Sequence, residues 1–278
     1  MWERILEWGK AVFLGIVEGV TEWLPVSSTG HMLLVDEFLQ LQESQSFKEM
    51  FFIVIQLGAI FAVVFLFWDR MFPFQKKDRS QGVVRKEVCF LWLKVIVSCI
   101  PGAVVTLLFD DLIDGVFHNA TVIAGALIFY GIAFIGIEKK RREQPDRIKD
   151  LFQIGFREAF WIGLFQVLSL IPGTSRSGST IVGARLLGIS RAAAAEFTFF
   201  LAVPVMLGYS AWKFLCFGFE FTAAQICLLL TGCLVSFVTS LLVVGFLMNY
   251  VKKHSFAAFG WYRIFLGAAV LFYFLVLG

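Results

Sequence analysis

Along this chain, apolar and polar positions alternate on the scale of whole segments. Six apolar runs, Lys48–Trp68, Val88–Phe109, Asn119–Ile137, Ala192–Trp212, Ala223–Met248 and Ala257–Leu277, stand between polar stretches. Each is long enough to cross a hydrocarbon core of about 30 Å, for which about 20 residues suffice at about 1.5 Å rise per residue. Two further apolar stretches break midway. Trp2–Leu24 runs into Pro25-Val-Ser-Ser-Thr-Gly-His31 and resumes as a short piece to Leu41. Ala159–Ile171 runs into Pro172-Gly-Thr-Ser-Arg-Ser-Gly-Ser-Thr180 and resumes to Leu187. Irregular backbone at membrane depth survives only where protein or a wet cavity covers it, so each reads as a re-entrant helical hairpin. The pattern predicts an all-α polytopic membrane protein with six transmembrane helices plus two re-entrant hairpins, in a single integral membrane domain over 1–278.

Composition agrees with that class. The chain is 59% hydrophobic and only 16% charged, with mean hydropathy +0.80, where a soluble domain carries about 25% charged residues. No cleavable signal is expected, because Met1–Lys10 lacks a basic start and no small-residue cleavage site follows. Cys89, Cys99, Cys216, Cys227 and Cys233 lie in or beside apolar segments, odd in number and without metal-type spacing, which argues against a disulfide framework. The 33 Phe residues suit lipid-facing and packing roles, with a tunnel for an isoprenoid tail as an alternative.

The formal charge of +3 matters through its distribution. Asp69–Glu87 and Glu138–Asp150 hold six Lys/Arg each, and Asn249–Phe256 holds Lys252 and Lys253. Asp110–His118 carries Asp110, Asp111 and Asp114, Asp36–Glu49 holds four acids against Lys48, and Gly218–Thr222 holds Glu220. Basic loops stay cytoplasmic, so the acidic loops and both termini are expected outside. The first hairpin then enters from outside and the second from the cytoplasm. Each opens a half of three spans, about 1–138 and about 151–278, with Pro25 and Pro172 lying 147 residues apart. Three spans being odd, the halves form an inverted-topology repeat, an arrangement that sets a polar site near the midplane. At this offset Glu18 needs a one-residue gap to face Gln166.

The polar residues concentrate at the two breaks. Glu18 and Glu22 are four apart and share one helix face. Pro25 ends that helix, because the residue before a proline is pushed out of the α region. A carboxylate at mid-membrane costs at least about 2.5 kcal/mol, so a pair points to function over interhelical hydrogen bonding. The pair can hold a hard divalent cation, Mg2+ or Ca2+, or share a proton. Ser27, Ser28 and Thr29 follow, some as helix caps, and His31 with Glu22 and Ser28 makes up a nucleophile, base and orienter set. In the second break, the planar fork of Arg176 matches phosphate oxygens. Ser175, Ser177, Gly178, Ser179 and Thr180 surround it at an expected helix N-terminus, where free N–H groups favour an anion. The alternative for Arg176 is a salt bridge to Glu18 or Glu22, compatible with a site that exchanges partners on binding. Neither break is a Walker loop or a Rossmann fingerprint, and no nucleic-acid partner is expected. Acids, hydroxyls and histidine facing an arginine and an anion-binding turn are the parts needed for phosphoryl transfer, and a site within the bilayer suggests a lipid phosphate.

Glu18-x-x-x-Glu22 with Pro25-Val-Ser-Ser-Thr-Gly-His31, together with Pro172-Gly-Thr-Ser-Arg-Ser-Gly178, resembles the undecaprenyl-pyrophosphate phosphatase family, also called the bacitracin-resistance protein family. The likeness extends over the whole chain in length, span order and both motifs. It implies hydrolysis of undecaprenyl pyrophosphate to the monophosphate and phosphate, recycling the lipid carrier for peptidoglycan and other envelope polymers. It also implies a divalent-metal requirement, the bacterial cytoplasmic membrane and a site open to the extracytoplasmic side. Catalytic weight falls on Glu18, Glu22, Ser28, His31 and Arg176. The expected arrangement has Arg176 and the 175–180 amides gripping the pyrophosphate, with Thr174, Ser175, Ser177, Thr180, Ser27 and Thr29 lining the substrate. Glu18 and Glu22 hold the metal, and Ser28 is the nucleophile with Glu22 or His31 as base; His31 as nucleophile is the rival. Inverted repeats with broken helices also occur in transporters, so an ion-coupled transporter or lipid flippase using Glu18/Glu22 is the alternative. A purely structural scaffold fits poorly with so many intramembrane polar residues. Gly-rich spans allow close helix contacts within one chain or in a homodimer.

Overall fold

The computed structural model describes residues 2–74, 84–117, 119–217 and 221–277. Lys76, Lys77 and Arg79 of the first basic loop, His118 and Glu220 lie outside the described residues, as do the side chains of Asp110, Asp111 and Asp114. Eleven α-helices follow in order among the described residues: α1 Trp2–Thr21, α2 Ser28–Phe38, α3 Gln45–Leu66, α4 Trp68–Met71, α5 Lys86–Phe117, α6 Ala120–Arg141, α7 Phe156–Val167, α8 Arg176–Leu186, α9 Arg191–Phe217, α10 Ala223–Lys253 and α11 Ala257–Phe272. Six are long and apolar enough to cross a membrane, in α3, α5, α6, α9, α10 and α11. The protein is multi-pass, and its exterior agrees: Phe65, Phe129, Leu242 and Phe265 turn outward along the spans, where only lipid makes apolar exposure favourable.

Polar residues set where these helices start. Ser44 accepts from Phe47 N at 3.3 Å to cap α3, and Asn119 Oδ1 accepts from Val122 N at 2.9 Å to cap α6. At α10, Thr222 and Gln225 exchange side-chain bonds to each other's amides, a capping box. The ends differ more from the sequence expectation. α5 runs 32 residues, through the stretch 110–117 expected to be a loop, and α10 runs on to Lys253. Hydropathy reports where lipid ends, not where a helix ends. No proline interrupts 110–117, so the α5 backbone continues into the polar region. Conversely α1 ends at Thr21, short of the expected stop at Pro25, although Glu22 N still donates to Glu18 O at 3.0 Å.

Two contacts bring the helices unusually close. A Cβ on Gly58 of α3 would lie 2.1 Å from the Cys233 carbonyl oxygen of α10, and one on Gly163 of α7 would lie 2.3 Å from that of Ser98 in α5. Without hydrophobic drive between helices in lipid, backbone approach of this kind supplies the packing. Gly58→Ala is expected to push α3 off α10 and lower the unfolding temperature in detergent, at a cost of about 1–3 kcal/mol; an unchanged temperature would show that the pair separates freely. α1 packs along α10 and α7 along α5, so each broken helix lies on a long helix from the other half of the chain; α3 meets α9, and α6 meets α11. This exchange carries the two breaks into the interior, against α9, the most enclosed of the long helices.

Candidate active site

Both breaks close with the same local device. Ser27 (φ 73°) and Ser175 (φ 72°) are the only non-glycine residues in the left-handed region among the described residues. Each caps the helix that follows: Ser27 Oγ accepts from Gly30 N at 3.3 Å, and Ser175 Oγ accepts from Gly178 N at 3.1 Å. A serine held at positive φ costs of order 1–3 kcal/mol and persists where its surroundings demand it. Gly173, at φ +89°, leaves no room for a side chain, since a Cβ would sit 2.4 Å from the Ile123 carbonyl oxygen. The matched caps lie 148 residues apart, and so do Glu18 and Gln166. The register of the two breaks therefore follows the serines at positive φ, and the one-residue offset falls at the prolines, not at Glu18.

Between the breaks Glu22 is the hub. Its Oε2 accepts from Ser28 Oγ at 2.8 Å, and its Oε1 accepts from Arg176 Nη2 at 3.1 Å. The Glu22–Arg176 pair joins residues 154 apart in sequence, and is the salt bridge that the sequence left as an alternative for this arginine. Arg176 Nη1 donates to the Thr198 carbonyl of α9 at 3.0 Å, and its guanidinium lies 5.9 Å from the ring centre of buried Trp23. Ser177 Oγ lies 3.2 Å from the Glu22 carbonyl oxygen, tying the start of α8 to the end of the first broken helix. Thr180 Oγ1 bonds Thr198 Oγ1 at 2.9 Å, so its hydroxyl is held by α9. Thr29 is exposed.

His31 bonds partners other than Ser28 and Glu22. Its Nδ1 donates to the Ser27 carbonyl at 2.7 Å, which leaves Nε2 as the acceptor from Tyr262 OH at 2.7 Å. The two rings stack 5.6 Å apart. Both nitrogens are thus engaged, neither of them by Ser28 or Glu22. The structure brings Glu22, Ser28 and Arg176 into direct contact, with Glu18 one turn away, and pairs His31 with the Ser27 carbonyl and Tyr262.

Sequence reading missed Arg263. This α11 residue is fully buried. Its Nη1 donates to the Pro25 carbonyl at 3.2 Å, and Nη2 to those of Gly173 and Thr174 at 2.8 Å each. One guanidinium thereby satisfies carbonyls that both breaks leave without helical partners, with the Tyr130 ring 5.6 Å away. An arginine inside the apolar run Ala257–Leu277 was the available signal. Arg263→Gln is expected to lower the unfolding temperature in detergent, since each carbonyl left without a donor costs about 1–3 kcal/mol. An unaltered temperature would mean that the carbonyls find other donors.

Five buried polar atoms at the two breaks lack a hydrogen-bond partner among the described residues: Glu18 Oε1, Trp23 Nε1, Thr174 Oγ1, Arg176 Nε and Arg263 Nε. Buried polar groups are ordinarily paired, so orphans gathered at one place point to a ligand. For a divalent cation the donors are Glu18, whose Oε1 is free, and Glu22. No group of three acidic, histidine or cysteine side chains able to hold a metal occurs among the described residues. A hard cation that keeps one or two carboxylates and completes its shell with phosphate and water fits this donor set.

A multi-pass helical membrane protein with carboxylate, hydroxyl and guanidinium joined at two broken helices is the class that fold and site define. Over residues 11–269 the sequence matches the family described as Bacitracin resistance protein BacA. The chain belongs to that family. It is 59% identical to an undecaprenyl-diphosphatase of Enterococcus faecalis over 94% of this chain and 95% of the relative. It is 55% identical to one of Desulfitobacterium hafniense over 97% of each chain, and 54% identical to one of Lachnoclostridium phytofermentans over 96% of this chain and 97% of the relative.

Proposed function

We propose that this chain is an undecaprenyl-diphosphatase, which hydrolyses undecaprenyl pyrophosphate to undecaprenyl phosphate and phosphate and so recycles the lipid carrier of envelope synthesis. The observation that carries the chemistry is the Ser28–Glu22–Arg176 chain, at 2.8 and 3.1 Å, in a protein more than half identical to enzymes of that name. Arg176 exchanges Glu22 for the pyrophosphate oxygens, where its fork binds two at once. Glu22 is then free to take the Ser28 proton. Ser28 Oγ attacks the terminal phosphorus, and the bond from that phosphorus to the bridging oxygen breaks, releasing the lipid monophosphate. Water next attacks the phosphoserine, freeing phosphate and restoring Ser28. The start of α8 faces the developing charge with its free amides. A divalent cation held by Glu18 and Glu22 would neutralise phosphate charge and orient the pyrophosphate.

The same reading makes the broken pairs α1/α2 and α7/α8 re-entrant hairpins in halves of opposite topology. The basic loops are cytoplasmic, both termini are outside, and the site opens to the extracytoplasmic side of the bacterial cytoplasmic membrane. Supporting this are the matched serine caps and the exchange in which α1 lies on α10 while α7 lies on α5. The test is phosphate release by purified protein in detergent from a panel of lipid pyrophosphates, with and without a chelator. Detergent removes any compartment, so release under these conditions is hydrolysis and not transport. Turnover is expected with the polyprenyl substrate, to fall to background on chelation and to return with added Mg2+ or Ca2+. No release with metal present would overturn the enzymatic reading, and full activity in chelator would remove the metal from Glu18 and Glu22.

A further inference from the structure

A second polar site lies at the far end of α8, which begins at Arg176, and of α7, which packs against it. α7 and α8 run from the second break to their other ends, 12 and 11 residues away, or roughly 16–18 Å. There a pocket of about 320 Å³ opens, with Arg141, Arg147, Arg157, Glu158, Trp161 and Leu186 in its wall. That is far more room than a bare ion needs. The reaction proposed above uses none of these residues.

The charges in the wall are unbalanced. Glu158 Oε1 accepts from Arg147 Nη2 at 2.7 Å, which engages the carboxylate. Arg157 is exposed and has no partner among the described residues. Arg141 donates to Gln144 Oε1 at 2.7 Å and to the Pro145 carbonyl at 3.1 Å, and lies 3.6 Å from Asp146. Its Nε is nevertheless buried without an acceptor, an unmet donor of the kind that bound ligands satisfy. Beside the guanidinium groups the wall turns apolar. Trp161 and Leu186 are exposed, and Trp161 and Leu164 of α7, with Leu168 in the short turn that follows it, form one outward stripe at helical spacing, leading away from the pocket along the lipid-facing side. A soluble anion has no use for that stripe. A phosphate carrying hydrocarbon chains matches both parts, and Trp is the residue expected at the level of the headgroups.

We propose that this pocket binds an anionic glycerophospholipid, its phosphate among Arg141, Arg147 and Arg157 and its acyl chains along Trp161, Leu164 and Leu168. The lipid touches the α6–α7 connection, the first turns of α7 and the end of α8 together. It therefore braces the base of the element whose tip presents Arg176.

Native mass spectrometry of the full chain released from detergent, titrated with phosphatidylglycerol, reads the site. One phosphatidylglycerol is expected to remain bound, and phosphatidylcholine is not. Arg147→Gln with Arg157→Gln is expected to weaken retention roughly 30-fold, two basic contacts at a membrane surface being worth about that much. Lys139→Gln with Lys140→Gln removes equal charge from the end of α6 outside the pocket and is expected to leave retention as it was. Arg157→Glu alone, at an exposed position, repeats the test by charge reversal, and undiminished phosphatase turnover in detergent shows that each variant is folded. Equal retention of phosphatidylcholine, equal loss in the lysine variant or undiminished binding in both arginine variants would overturn the proposal. Displacement of the lipid by millimolar inorganic phosphate would overturn it as well, by identifying the occupant as a free anion.

Discussion

Arg176→Ala is expected to lower phosphate release by about 10³-fold or more, the range in which a lost arginine contact to a transferring phosphoryl group falls. The loss has two parts. The pyrophosphate loses its bidentate anchor, and Glu22 loses its buried counter-charge, which by itself costs about 3–5 kcal/mol. Arg176→Lys separates them. Lysine restores the charge beside Glu22 but not the fork, nor the second donor that reaches the Thr198 carbonyl. The lysine variant is therefore expected to unfold near the wild-type temperature while remaining at least about 10²-fold less active. Near-normal turnover in either variant would remove the phosphate-gripping role. Activity restored fully by lysine would show that only a positive charge is required there.

Ser28→Ala is the second large effect, expected to cost about 10³-fold or more in turnover, because no other hydroxyl of the first break is bonded to Glu22. Glu22→Gln should produce a loss of at least about 10²-fold through the same step, since an amide cannot accept the Ser28 proton. The two changes act on one proton transfer, so the double variant is expected to be little worse than Ser28→Ala alone. His31→Asn should cost less, as both its ring nitrogens are spent on Ser27 and Tyr262. The decisive measurement is the phosphorylated residue after quenching turnover with labelled substrate. Label on Ser28 is expected; label on His31 would make histidine the nucleophile and demand that it swing free of Tyr262.

The lipid-facing spans were legible from hydropathy because every residue in them reports the same solvent. The breaks were legible for a related reason. Proline, glycine and hydroxyl residues inside an apolar run are costly unless something meets them, and Glu18, Glu22, Ser28 and Arg176 do meet or come within a turn of meeting. The end of α5 was not legible, since hydropathy falls at Asp110 whether or not the helix stops. The offset between the breaks was misread by one, because prolines mark where a helix must end, while the serine caps mark where the next one starts.

The sequence by itself determined a multi-pass helical protein, its two interruptions and the residue types that meet there, since these depend on local period, composition and the cost of polar groups in lipid. Only the tertiary structure decided that Arg263, 238 residues from Pro25 and 90 from Gly173, holds both breaks by their carbonyls. It likewise turned His31 toward Tyr262 and Ser28 toward Glu22. The physical reason is that a backbone group freed by a broken helix must find a partner, but nothing local specifies which distant helix supplies it.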